Sequence, residues 1–571
     1  MSDSRSTTIP PSNKSNGALR PLGFVVAIAL AGLAFIPEST WTNLFQHPIR
    51  VERLGDIPET TIKGIRLLRF LLVIAAATWF LQPFILRGLE RRLPLHPHPS
   101  EPRGGSWVLV ILGIVTLAGI VLRAFRLQES LWYDEIAAMI ASSLHGPGPA
   151  IGNYQALANH ALHSALAAIS LQAFGNSDAE IALRLPAFLA GVCCIPAMFA
   201  LGRAVAGDRL GLIAAGVVAF MPVAVLESAE ARGYSMMMLF ATLSTLAWLR
   251  IGDGRTSAIP LYAALVALGC WSHLVFACVP IGHAIQGGIR LFRHQGDKAV
   301  AGRRGMALVL GGVSTLALIA PLLPDLLQRR TEFVALDGDE PSLFGIEGWK
   351  AFLQLGGTWT GWASIPGLML LVFGILEAWR WPRLRLSAHA GLAGGLVALV
   401  IVIGGDSWIY ARFLVFLLVP AALLQAAAIE GTILMLRRTA PAVITSVMIL
   451  AAWVMCLVSM PPKQPIREGV ELARRLAGTE NAIWSIGLGD DVAMFYTEGQ
   501  GPRLVHAPRL GSRLGEDELA VGPGVALVLY PDLMKAETRS RLERAGFSVA
   551  GRFDGWLDWG QGDVVVLHRG D

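Results

Sequence analysis

The sequence predicts an all-α polytopic membrane protein of about thirteen transmembrane helices, followed by a small α/β domain outside the membrane. Three observations carry that prediction. The 571-residue chain is 54% hydrophobic and only 16% charged, with a mean hydropathy of +0.54, where a soluble domain carries about 25% charge. Apolar stretches long enough to cross a bilayer, roughly 17 to 25 residues each, recur from Pro21 to Met460. After Pro461 they stop, and short β-branched runs alternate with amphipathic helical patterns.

In chain order, residues 1–20 are polar and Ser-rich, and are expected to form a disordered cytoplasmic N-terminus. No small-residue cleavage site follows the first apolar run, so that run is read as an uncleaved span. Spans are placed at 21–37, 65–86, 106–123, 185–205, 210–226 and 234–251. The stretch 259–291 is long enough for two, with a turn near Ser272-His273. Further spans follow at 306–326, 365–378, 388–403, 408–434 and 442–460. In the tail, 466–476 reads as an amphipathic helix and 533–545 as a second helix ending at Gly546. Strand-like runs lie at 482–486, 525–530, 547–553 and 563–567. Gly487-Leu488-Gly489-Asp490-Asp491 is too short for a phosphate loop and lacks the lysine.

Charge orients the spans. Arg87, Arg91, Arg92 and Arg103 fall in one loop, Arg203 and Arg209 in a second, and Arg290, Arg293, Lys298, Arg303 and Arg304 in a third. Arg380, Arg383 and Arg385 mark a fourth, and Arg437 and Arg438 a fifth. These alternate loops share one side, taken as cytoplasmic by the positive-inside rule, with Arg66 and Arg69 as exceptions. An odd number of spans then puts the C-terminal domain in the periplasm or its equivalent, and the chain in the cytoplasmic (inner) membrane. From Lys463 onward 13 basic and 16 acidic residues give −3, so the overall +5 leaves +8 in the loops before it. That is a topology signal and gives no reason to expect nucleic acid. The five cysteines all sit in apolar runs, without metal or disulfide spacing.

Four regions face outward on this map: the loop 127–184, the turn 227–234, the loop 328–364 and the tail. The apolar run 160–174 has only about 15 residues, short for a crossing, and is laid along the membrane surface with an amphipathic helix at 136–144.

Chemistry concentrates in those outward regions. Asp134 and Glu135 follow Trp132-Tyr133 just beyond a span. Acids favour the first turn of a helix, which accounts for one of them. Two carboxylates at an interfacial aromatic belt point further, to a base acting on a substrate delivered by lipid. Glu227, Glu230 and Arg232 read blandly as a solvated turn with an ion pair worth under about 1 kcal/mol; functionally, Arg232 beside Tyr234 would clamp a phosphate. Arg412 either snorkels at a helix end or neutralises a leaving phosphate. Asn159, His160 and His163 open the surface run, the two histidines on one helix face, and His273 marks the later turn. No third ligand at a matching spacing is seen, so no metal or cofactor is called, a divalent metal being left open.

Leu131-Trp132-Tyr133-Asp134-Glu135, Asn159-His160, Arg184-Leu185-Pro186 and Glu230-Ala231-Arg232-Gly233-Tyr234, in that order, resemble the GT-C superfamily of lipid-phosphosugar glycosyltransferases. The likeness spans about 106–460 and is strongest to the branch of protein O-mannosyltransferases, lipid A aminoarabinose transferase and lipopolysaccharide galacturonosyltransferases. It implies a transmembrane catalytic domain at 105–460 with two surface helices in its first external loop. It also implies an inverting transfer from a polyprenyl-phosphate-linked sugar to a glycan, lipid or protein acceptor. Asp134, with Glu135, would be catalytic; Arg412, Arg232 and His160 would bind the donor phosphate; Tyr133, Asn159, Glu230, Tyr234 and His273 would bind substrate. The chain departs from the family in two additional spans within 21–104, in Ala161 where the family has proline, and in Glu230 and Arg232 where it has a second acid. A transporter or flippase of lipid-linked glycans is the rival reading, disfavoured by spans after Leu185 that are largely free of mid-span acids.

Overall fold

A computed structural model describes residues 19–92, 105–156, 159–174, 179–294, 297–333, 344–405, 409–436, 440–478, 482–487, 503–507, 521–557 and 560–570, with 407, 492, 495, 496 and 519 between them. The first half runs α1 (Leu19–Phe35), α2 (Glu38–Phe45), α3 (Pro48–Leu54), α4 (Glu59–Arg92), α5 (Ser106–Ala124), α6 (Tyr133–Ala141), α7 (Pro147–Gly152), α8 (Ala161–Phe174), α9 (Ala179–Ala206), α10 (Asp208–Phe220), α11 (Pro222–Leu226) and α12 (Tyr234–Gly252). The second runs α13 (Ala258–Ser272), α14 (Cys278–Phe292), α15 (Lys298–Ile319), α16 (Leu323–Gln328), α17 (Ile346–Gln354), α18 (Gly361–Glu377), α19 (Pro382–Gly404), α20 (Leu418–Leu436) and α21 (Ala440–Ser459).

The thirteen expected spans fall on these helices, with 210–226 running from α10 into α11, 306–326 from α15 into α16, and 408–434 covering the 3-10 turn Ala411–Leu417 before α20. Seven helices among the described residues are long and apolar enough to cross a membrane by themselves, and α1 with α2 makes an eighth, bent by 88°. The others are short or carry charge near an end: α10 has 13 residues and α13 has 15. The fold is nonetheless a membrane fold, because apolar side chains face outward. On α5, Leu109, Val110, Ile114 and Leu117 are all more than 60% exposed, a face tolerable only against hydrocarbon. In α12 and in the stretch 411–435, by contrast, most of the surface is buried inside the protein, so these form the centre of the bundle with α9 and α10.

The exceptions to the charge rule have partners. Arg66 pairs with Glu38 at 3.1 Å, and Arg69 Nε donates to the Ala34 carbonyl at the end of α1 at 3.1 Å, where a helix leaves acceptors unsatisfied.

Arg123, in the last turn of α5, is wholly buried. Its guanidinium donates to the carbonyls of Val218 and Ala219 at the end of α10 and to Ser228 Oγ, at 3.0–3.2 Å. A cation on the C-terminal carbonyls of a helix meets the negative end of its dipole, and here it also pins the turn 227–233. Gly191 on α9 lets that turn sit close, because a Cβ there would run into the Ser228 side chain.

The loop 127–184 folds as α6, a 3-10 turn Ser143–His145, α7 and α8. The helix expected at 136–144 begins at Tyr133, which moves Asp134 and Glu135 into its first turn. The helix α8 does not simply lie on lipid: it is packed against α7, α9 and α13, keeping only residues such as Leu166, Ile169 and Phe174 outward. Pro186 is inside α9, which starts seven residues earlier at Ala179, and not at its first turn.

The tail is an α/β domain with α22 (Ile466–Ala477), α23 (Ala536–Arg544) and strands β1 (Ala482–Ile486), β2 (Arg503–Ala507), β3 (Val525–Leu529), β4 (Phe547–Phe553), β5 (Trp556–Leu557), β6 (Gly560–Gln561) and β7 (Val564–Arg569). The main sheet has the order β2-β1-β3-β7-β4, with β1 parallel to β2 and β3, and β7 antiparallel to β3 and β4. Strand β2 was not expected: Arg503-Leu504-Val505-His506-Ala507 has polar residues where a buried strand would have apolar ones. Residues 488–491 of the weak glycine-rich candidate lie outside the described residues. The sheet and α22 share one hydrophobic cluster with Leu131, Trp132, Ile136 and Met139, so the tail docks directly on α6.

Candidate active site

The extended backbone of Trp132 leads into α6, and Glu135 at the third helical position accepts from Trp132 N at 3.1 Å. This is the carboxylate half of a capping box. The same carboxylate takes Arg184 Nε at 3.0 Å, Arg184 Nη2 at 2.6 Å and Ala231 N at 2.5 Å. Arg184 then holds the carbonyls of Leu127, Glu129 and Ser130. Glu135 was expected to be catalytic; with four donors on its two oxygens and 1% exposure, it instead ties α6, the preceding loop and the turn 227–233 together.

Asp134 points elsewhere. Its Oδ2 lies 3.0 Å from Arg412 Nη2 and 3.7 Å from Arg232 Nη1. Its side chain is 24% exposed, against 3–4% for the two arginines. Arg412 comes from the 3-10 turn Ala411–Leu417, donates from Nε to Tyr234 Oη at 3.1 Å and lies 4.4 Å over the Tyr410 ring. Arg232 is buried beside Trp132 and Tyr234, and its Nε and Nη1 have no hydrogen-bond acceptor among the described residues. Buried donors in that state are the kind an anionic group satisfies. The turn bearing them is not solvated as expected: Glu227, Glu230 and Arg232 are all buried.

Tyr234, His160, His273 and Phe413 stack against one another behind the arginines, with ring centroids 4.8–6.3 Å apart. His160 was expected to contact phosphate as a basic group. The Ser272 carbonyl 3.1 Å away can only accept, so His160 Nδ1 carries the proton and donates it there. Burial first, then Arg232, holds the ring well below the usual histidine range. It is a neutral wall. His273 is similar: its Nδ1 accepts from Val275 N, and burial, then Arg232 and Arg412, lower its pKa to about 3. Asn159 does not reach the site at all. Its amide donates to the Ala150 and Asn153 carbonyls and its oxygen accepts from Ser164 Oγ, a bracing role within the loop.

The tail supplies groups that sequence reasoning missed. Lys463 Nζ lies 2.7 Å from both oxygens of Glu230 and 4.2 Å over the Trp132 ring. Gln464 Oε1 accepts from Tyr133 N at 3.1 Å. The Tyr133 ring meets Tyr530 at 6.0 Å, and Tyr530 has a left-handed backbone, φ 59°, rare for an aromatic residue and a mark of a constrained site. Burial, then the Asp134 carboxylate, raises the Tyr530 hydroxyl pKa. The only local signal for any of these is Lys463 itself, a cation between prolines directly after the last span. Among the described residues, no three His, Cys, Asp or Glu side chains group as metal ligands.

With this geometry in hand, comparison with solved structures is decisive for the fold. The crystal structure of ArnT from Cupriavidus metallidurans bound to undecaprenyl phosphate aligns with 81% of this chain and 98% of that one, at 14% identity and a TM-score of 0.50. Its apo crystal structure aligns over the same shares at 13% identity and 0.51. The chain has the GT-C fold. The sequence profile of the dolichyl-phosphate-mannose-protein mannosyltransferase family matches residues 160–324 of this chain. That segment holds His160, Arg232, Tyr234 and His273; Asp134 and Arg412 lie on either side of it. No curated protein matches the sequence.

Proposed function

We propose that this GT-C chain is an integral-membrane glycosyltransferase that moves a sugar from a polyprenyl-phosphate donor to an acceptor hydroxyl, at the outer face of the cytoplasmic membrane and with inversion. The observation that carries the reading is Asp134: a partly exposed carboxylate, flanked by two buried arginines that belong to distant turns of the chain. Arg412 and Arg232 would receive the phosphate of the donor. As they turn to that charge, the Asp134 carboxylate leaves its ion pairs and takes the proton of the acceptor hydroxyl while the hydroxyl oxygen attacks the anomeric carbon. The sugar–phosphate bond breaks on the opposite face, and the leaving phosphate stays between the guanidiniums. Inversion is favoured because a double displacement needs a second available carboxylate. Glu135 already holds four donors and Glu230 is bound through both oxygens to Lys463. The ArnT neighbour, crystallised with undecaprenyl phosphate, supports a lipid-phosphate donor.

The test is transfer from membranes carrying a panel of radiolabelled polyprenyl-phosphate sugars, comparing wild type with Asp134→Asn. Loss of a positioned base is expected to slow transfer by about 10²- to 10⁴-fold with unchanged melting temperature and lipid binding. Transfer at the wild-type rate in the variant sinks this assignment, and lipid-linked glycan movement without transfer would favour the flippase. The reaction is proposed to need no metal, so a chelator in the same assay should leave the rate unchanged.

A further inference from the structure

The segment 38–60, which carries α2 and α3, precedes the part of the chain that resembles the GT-C family, and none of the chemistry above uses it. It meets the loop that bears Asp134 at three points. At the first, His47 Nε2 donates to the Ala141 carbonyl at 3.2 Å, beside His145 Nε2 on the Ile140 carbonyl at 2.9 Å. Both carbonyls lie at the end of α6, and the two imidazoles meet edge to face with centroids 4.4 Å apart. At the second, Leu44 and Phe45 lie so close to Gly148 and Gly152 of α7 that a Cβ on either glycine would run into them. At the third, Arg50 Nη1 donates to Asn153 Oδ1 at 2.8 Å, and its Nη1 and Nη2 donate to the two oxygens of Asp325 on α16 at 2.9 and 3.1 Å. Asp325 also accepts from Tyr154 N at 2.9 Å, and Asn153 Nδ2 donates back to the Phe45 carbonyl at 2.6 Å.

These contacts fix direction more than they add stability. The Arg50 and Asp325 side chains are only 11% and 5% exposed, and a buried ion pair returns little net stability because both charges lose water. A two-pronged guanidinium–carboxylate contact does set the relative orientation of what it joins. Here it joins α3 to the loop that runs from Asp134 to His160. Glu135 already pins the first turn of α6 to Arg184 and Ala231. From Asp134 to Ala141 is about 10 Å along the helix axis, and so short a helix held at one end alone would tilt about it. His47 supplies the hold at the other end. Beyond α7, the Asn153 carbonyl accepts from Asn159 Nδ2 at 3.0 Å, one residue before His160 in the wall behind the arginines. Arg232 and Arg412 take no part in any of these bonds, so the segment acts on one side only of the contact between Asp134 and its arginines.

We propose that this added segment sets the reaction centre: Arg50, through Asn153 and Asp325, and His47, through the end of α6, are positioning residues that hold Asp134 against Arg412 and Arg232. The assignment rests on the glycosyltransferase reading for its meaning. It gives a task to the N-terminal addition, which touches neither substrate nor the reacting atoms.

The test uses the full-length protein in lipid nanodiscs, read by amide hydrogen exchange over 133–156 and by transfer from the polyprenyl-phosphate sugar that wild type uses. Arg50→Lys keeps a cation for Asp325 but loses the fork. His47→Ala removes the donor from the end of α6, and His47→Gln restores one. In Arg50→Lys and in His47→Ala the amides of α6 should exchange about tenfold faster. Their kcat should fall about tenfold or more, the scale of a small misplacement of a reacting group, with KM for the lipid donor unchanged. His47→Gln should behave as wild type. Combining Arg50→Lys with Asp134→Asn separates positioning from damage. A loss of folded protein slows both backgrounds alike, whereas a residue that acts through the Asp134 carboxylate adds nothing once that carboxylate is gone. No further slowing in the double variant is the expected result. Equal slowing in the two backgrounds, or wild-type exchange and kcat in both Arg50→Lys and His47→Ala, overturns the proposal. If Asp134→Asn itself transfers at the wild-type rate, the base assignment fails, and the exchange rates decide on their own whether the segment holds α6.

Discussion

Asp134 and Glu135 are adjacent acids in one helical turn with opposite surroundings, and that difference was only half legible in the sequence. Their position beside an interfacial aromatic pair marked them as unusual, but not which one faces outward. The answer depends on Arg184 and Ala231, which are 49 and 96 residues away. The histidines show the same limit from the other direction: a residue type that reads as basic becomes neutral once burial is known. His163 on α8 is buried, and desolvation, then Arg232, lowers its pKa to about 3. Such a histidine is neutral in the folded chain and takes up a proton only on unfolding between about pH 3 and 6.5. The unfolded state then binds more protons, so stability is full above about pH 6.5 and falls with decreasing pH, by at most about 1.4 kcal/mol per pH unit for each such group. Melting in detergent should therefore drop between pH 7.5 and 5.5, and His163→Gln should flatten the slope. An identical slope in the variant would exclude this residue as a source.

At the scale of elements, hydropathy and turn residues located the helices well, and in the tail four of the five strands of the main sheet. They located β2 not at all and placed the start of α9, expected at 185, six residues late. In both cases the missing information is tertiary: β2 pairs with β1, and Pro186 is accommodated within a helix already held by its neighbours. The close seat of the turn 227–233 on α9 is likewise invisible locally, since Gly191 looks like any small residue in a span. Gly191→Ala would push its Cβ into the Ser228 side chain, displacing the turn that carries Arg232. We expect transfer to fall at least tenfold with KM for the lipid donor raised, while the amount of inserted protein changes little. An unchanged KM would show that the turn tolerates the shift.

For the whole molecule, the arrangement of charge in alternate loops predicts one end of the bundle as external, and the structure gathers Asp134, Arg232, His273 and Arg412 at a single locus from four separate connections. What no local pattern revealed is the docking of the tail, because the residues that meet, such as Glu230 and Lys463, are 233 positions apart. The orientation is open to direct measurement. Ser548 on β4 is exposed and lies far from any native cysteine in sequence; Ser548→Cys in intact spheroplasts should react with a membrane-impermeant maleimide, and protection until lysis would invert the topology. The join between bundle and tail has a mechanical consequence. Arg126 donates to the carbonyls of Leu457 and Pro461 at the end of α21, and only two residues further Lys463 is clasped by Glu230. The connection is short and fastened at both of those points, so the domain is tied to the end of the bundle. On the proposed function, a substrate reaching Asp134 would pass beside this joint, and a cut in the Glu230–Lys463 clasp would loosen the one side of the site that the tail supplies.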